Sequence, residues 1–155
     1  MRVTIGPMGS MGGYVFVVAL TRYQGQLLLS RHRARRTWET QGGHIEPGET
    51  PLEAMRRELY EESGAARFTL EPLFDYRVEN PSGEESARPG SSTGQVFVAK
   101  IDELQELPPS EIAETRLFGC LPDALTYPAI TPLLFREAQR RGYFVDGLQS
   151  EEFHA

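Results

Sequence analysis

Between Gly42 and Ala65 the chain reads GGHIEPGETPLEAMRRELYEESGA, which packs Glu46, Glu49, Glu53, Glu58, Glu61 and Glu62 into one short segment. Wound at about 100° per residue, Glu58, Glu61 and Glu62 share one sector of a helix, while Leu52, Met55 and Leu59 form a neighbouring apolar stripe. Like charges at such spacings destabilise an isolated helix by roughly a few tenths of a kcal/mol per pair. Arg57 alone cannot neutralise three of them. Mg²⁺ or Mn²⁺, which take oxygen ligands and bridge carboxylates to phosphate oxygens, would turn this sector into a metal platform. For any one glutamate taken alone, a solvated face remains the competing reading.

The elements that must position these residues are legible around them. Thr50 fits an N-cap, with Pro51 at the first helical position, Glu53 closing a capping box and Gly64 as the stop. Upstream, Tyr14–Leu20 and Gln26–His32 read as strands about a turn at Gln24 and Gly25, and a third extended stretch is expected from Thr37 through Trp38 to Ile45. Downstream, strands are expected over Arg67–Val78 and Gln95–Ile101, separated by the polar loop 79–94. Residues 102–114, DELQELPPSEIAE, read as irregular, and a closing helix as running from Thr131 and Pro132 to Arg140, Arg141 and Gly142. Strands interleaved with two helices predict a mixed sheet covered on both faces. Residues 1–12 and 146–155 are weakly patterned and expected to fray.

Composition narrows the partners. The 155 residues suit a single domain spanning 1–155, with no internal repeat or linker to divide it. Acidic residues outnumber basic ones 22 to 16, a formal charge of −6, which argues against extended nucleic acid and anionic membrane surfaces. The apolar run Tyr14–Leu20 is too short to span a bilayer. A lone cysteine, Cys120, excludes a disulfide framework and points to a reducing, cytoplasmic setting. A homodimer is left open.

The acidic segment resembles the Nudix box, G-x5-E-x7-R-E-U-x-E-E-x-G-U with U aliphatic, through Gly43, Glu49, Arg57, Glu58, Leu59, Glu61, Glu62, Gly64 and Ala65. Seven fixed identities at about one in twenty each make a chance match on the order of one in a billion per start position. The resemblance implies an α/β/α sandwich and hydrolysis of a nucleoside diphosphate linked to another moiety. It further implies that Glu58, Glu61 and Glu62, with the Gly43 carbonyl, bind Mg²⁺ (Mn²⁺ as substitute), and that Arg57 and Glu49 orient loop and helix by charge pairing. A carboxylate would serve as general base: Glu58 or Glu61 by preference, with Glu111 and Glu114 as rivals and as further metal ligands.

Substrate contacts are less defined. Arg31 is the best phosphate contact in the basic run Arg31–Arg36, whose other reading is a solubilising turn. Trp38 could stack on a base or pack in the core. Gln41 stands where the family carries proline before the paired glycines, adding an amide at that point. The stretch from Phe118 to Phe135 resembles MutT-type nucleoside triphosphate pyrophosphohydrolases, including those acting on oxidised nucleotides such as 8-oxo-dGTP. Pro81 instead resembles a position in ADP-ribose pyrophosphatases, so an ADP-ribose or nucleotide-sugar substrate is the rival expectation. A nucleotide-binding module without turnover is the rival from outside the enzymes.

Overall fold

The computed structural model describes residues 1–80 and 90–144. Nine elements follow in order: β1 (Arg2–Pro7), β2 (Tyr14–Tyr23), β3 (Gln26–His32), β4 (Gln41–His44), α1 (Pro51–Ser63), β5 (Ala65–Asn80), β6 (Gly90–Leu104), β7 (Ile112–Phe118) and α2 (Thr131–Arg140). The strands form one mixed sheet in the order β1, β5, β6, β2, β3, β7, with β4 also paired to β2. The β2–β6 pairing is parallel and the rest are antiparallel.

Period-two alternation on the central strands gives the sheet two apolar faces. Val17, Ala19, Leu28, Phe97 and Ala99 pack against Ala54, Met55 and Leu59 of α1. Leu20, Phe74, Tyr76 and Val96 pack against Leu134, Phe135 and Ala138 of α2. The two helices therefore cover opposite faces, the α/β/α sandwich expected. No helix among the described residues is long and apolar enough to cross a membrane.

β3 pairs with β2 only next to their shared turn, at Arg22–Leu27 and Tyr23–Gln26, and then diverges to pair with β7. β4 fills the other end of β2, from Phe16–His44 to Ala19–Gln41. A Cβ on Gly42 would lie 2.3 Å from the Val17 carbonyl oxygen, so only glycine lets the backbones meet at this fork.

Several expectations need correction. The first residues are not frayed: β1 pairs in register with β5 from Arg2–Glu79 to Pro7–Phe74. The third extended stretch shortens to Gln41–His44, with single bridges at Trp38 and Glu39. Of residues 102–114, expected to be irregular, 102–104 continue strand β6 and 112–114 open strand β7, whose alternation is masked by charges at an edge. The 79–94 loop is partly hairpin: Glu79 pairs with Ser91 and Arg77 with Thr93, whereas 81–89, including Pro81, and 146–155 lie outside the described residues. Leu52 is 38% exposed, and Ala54 takes its place beside Met55 and Leu59.

Candidate active site

The start of α1 is fixed as its residues require. Thr50 accepts a hydrogen bond from the Glu53 amide while Glu53 accepts from the Thr50 amide, and Gly64 ends the helix in the left-handed conformation, φ 78°. From this rigid helix Arg57 reaches back to the β4–α1 loop. Its Nε and Nη2 donate to the two oxygens of Glu49 at 2.7 and 2.9 Å, and Nη2 also donates to the His44 carbonyl at 3.1 Å. A bidentate fork of this kind fixes geometry as well as charge. It holds the Glu49 carboxyl down at about 2, helped by the Glu46 amide.

The same guanidinium is shared too widely to neutralise what surrounds it. Nη1 lies 2.8 Å from Glu58, 3.4 Å from Glu61 and 3.7 Å from Glu46. Burial pushes the Glu58 carboxyl up despite Arg57, with Glu61 and Glu46 adding repulsion. Among the described residues Glu62 forms no ion pair; it accepts the Gly42 amide at 2.8 Å, and burial, together with the charges of Glu58, Glu39 and Glu61, pushes it up to about 8. Gly43 sits directly on Glu58: a Cβ there would lie 2.6 Å from the carboxylate. Backbone oxygen and crowded carboxylates can thus approach one cation from β4 and α1.

The hard-oxygen donor set, its surplus negative charge and the glycine cradle fit a divalent metal. Among the described residues, no three acidic, histidine or cysteine side chains already converge on one point. Arg57 holds Glu58 and Glu61 in this arrangement.

On the other side of β4 a cavity of about 330 Å³ opens toward α2. Phe16, Val18, Tyr76 and Tyr127 give it apolar and aromatic walls, while Gly42 and Gly43 separate it from the α1 carboxylates. An aromatic ring held here would lie beside the acidic sector. Glu39 and Thr40 line the same cavity, and Glu39 pairs with Arg35 at 3.1 Å. Of these lining residues the sequence singles out only the paired glycines Gly42 and Gly43. The alternation of β2 does place Phe16 and Val18 opposite α1, but the cavity is completed by β4, by Tyr76 and Val78 of β5 and by Tyr127 and Leu134, which are far apart in sequence.

Other candidates lie elsewhere. Trp38 is 7% exposed, packed with Leu29 and Leu125, edge-on to Phe118 and under the Arg116 guanidinium. It is a core residue and offers no face to a base. Gln41 is fully buried, its amide donating to the Leu28 carbonyl and the Ser30 hydroxyl. A substrate contact is therefore closed to it. Arg31 is engaged by Glu114 at 2.9 Å and by the Arg35 carbonyl at 3.0 Å. Glu114 also meets Arg116 and Glu111 meets the His32 ring, and neither glutamate is among the groups that act on the Glu58 and Glu62 carboxyls.

With this geometry established, comparison with known proteins identifies the class. The NUDIX domain model matches residues 12–143, and the chain belongs to that family. An RNA pyrophosphohydrolase of Photorhabdus laumondii is 44% identical over 60 residues, which cover 39% of this chain and 34% of that protein. The match thus spans about a third of the curated relative. A pyrophosphohydrolase of Bacillus subtilis has a similar fold, with a TM-score of 0.75 at 23% identity over 92% of both chains. A UDP-X diphosphatase matches with a TM-score of 0.63 at 24% identity, over 86% of this chain and 66% of that one.

Proposed function

We propose that the chain is a Mg²⁺-dependent pyrophosphohydrolase that cleaves a nucleoside 5′-triphosphate to monophosphate and pyrophosphate, in a cytoplasmic setting. The observation that carries this reading is the set of α1 carboxylates that Arg57 cannot neutralise, separated by two glycines from an aromatic-walled cavity. The names of the relatives support pyrophosphate-bond chemistry.

Glu58, Glu61 and Glu62, with the Gly43 carbonyl, would hold the cation; when bound it screens the polyphosphate charge and acidifies a coordinated water. The chain's own residues supply the rest. Arg57, locked to Glu49 and His44, sets the loop against the helix. The Gly42 amide orients Glu62. Phe16, Tyr76 and Tyr127 enclose the base and exclude water. Glu61, the most exposed of the three and tied to Arg57 only at 3.4 Å, accepts the proton of the attacking water. That water's oxygen bonds to phosphorus as the bond to the bridging oxygen breaks, releasing pyrophosphate.

Product analysis with Mg²⁺ tests the reading, using common and 8-oxo nucleoside triphosphates, a 5′-triphosphorylated RNA, ADP-ribose and a UDP-sugar. Pyrophosphate from free triphosphates is expected. The acidic net charge argues for free nucleotides over an RNA end. Turnover confined to ADP-ribose or the UDP-sugar would overturn it, as would nucleotide binding without turnover.

A further inference from the structure

Far along the same sheet face lies a second concavity that the motif does not use. Phe16, Val18, Leu20 and Arg22 alternate along β2 on the α2 side, which puts Arg22 roughly 13 Å beyond Val18 at about 3.3 Å per residue. In the parallel register Arg22 stands directly opposite Lys100 on β6. Like charges facing each other across a strand pair are unfavourable unless an anion joins them. Neither makes an ion pair with any described residue.

The two cations line a cavity of about 230 Å³ with Thr69, Glu71, Tyr143 and Phe144. Glu71 accepts the Tyr143 hydroxyl, and among the described lining residues one carboxylate stands against two cations. Its wall is costly to build: Phe144 has φ 60°, a left-handed conformation that a bulky residue rarely adopts, yet it is 4% exposed and fixed edge-on to Phe135. Strain of this kind persists where the surroundings enforce it, and it is concentrated at binding sites.

We propose that Arg22 and Lys100 form a second binding site, separate from the α1 carboxylates, for a small oxyanion of the phosphate class. Arg22 supplies paired N–H donors and Lys100 a point charge, a combination suited to tetrahedral oxygens. Thr69 adds a hydroxyl at the rim. The volume suits phosphate or pyrophosphate better than a nucleotide.

The test is amide NMR of the full chain without divalent cation, titrated with sodium phosphate and, separately, sodium pyrophosphate against sodium chloride at equal ionic strength. Saturable shifts are expected at Arg22, Thr69, Lys100 and Tyr143 with either phosphate ligand. The Arg22→Ala/Lys100→Ala variant should bind at least tenfold more weakly, while Arg22→Lys/Lys100→Arg retains binding. Should the double alanine variant fail to fold, the single variants Arg22→Gln and Lys100→Gln carry the same expectation. Shifts confined to Gly42–His44, no saturable shift, or undiminished binding in the charge-removing variants would overturn the site. Hydrolysis by these variants should equal wild type, so this proposal fails or stands apart from the proposed activity.

Discussion

Two groups of glutamates, on α1 and along the β3–β7 edge, are built from the same residue type and lead to opposite electrostatics. On β7, Glu114 meets the guanidinium of Arg31 in cross-strand register, and its carboxyl is held below the usual range. On α1, Glu58 and Glu62 are pushed up by burial and then by neighbouring carboxylates, Glu61 among them in both cases. The difference is one of supply: the edge offers both Arg31 and Arg116 to Glu114, whereas Arg57 is divided among Glu46, Glu49, Glu58 and Glu61. A carboxylate left crowded and buried, with its cation already shared, is where an external cation gains most. Acidic residues that a sequence makes look equivalent are thus separated by their partners.

The sharpest way to break this contrast is Glu61→Gln, expected to lower kcat about 10²–10⁴-fold with the fold retained. Near-wild-type turnover in a folded variant would remove Glu61 as the base. Next in size, Gly43→Ala puts a methyl against the far end of the Glu58 side chain, which must shift, so hydrolysis should fall while stability in denaturant unfolding changes by less than about 1 kcal/mol. A silent substitution would mean that Glu58 is free to move away.

Glu49→Gln sharpens the role of Arg57 through pH. Because the Glu49 carboxyl is depressed from its ordinary 4.5 to about 2, its contribution is fully present above 4.5 and lost as pH falls through about 2. Melting curves of wild type and variant should therefore differ at neutral pH and converge toward pH 2. A constant gap would contradict the pairing. The smallest effect is expected from Glu114→Gln at the β3–β7 edge: a melting temperature close to that of wild type and unchanged kcat. A large loss of turnover there would transfer the catalytic role to β7.

The capped helix, its glycine stop and the box residues were legible because each depends on near neighbours in sequence. Thr50 needs only Glu53, and Arg57 needs only Glu49 one loop away. β1 and β7 were not legible, since both are edge strands whose residues acquire their pattern from pairing with β5 and β3. Leu52 was placed in the core stripe by spacing alone, but the sheet below α1 meets Ala54, Met55 and Leu59 instead. The fates of Trp38 and Gln41 depended on how β3 splits from β2. That split is a tertiary event, as is the cavity that Glu39 lines.

Mn²⁺ titration followed by electron paramagnetic resonance, on wild type, Glu58→Gln, Glu62→Gln and Glu114→Gln, tests the central contrast directly. The account predicts at least tenfold weaker binding in both α1 variants and wild-type binding in Glu114→Gln. Equal binding across all four, or a loss confined to Glu114→Gln, would contradict it.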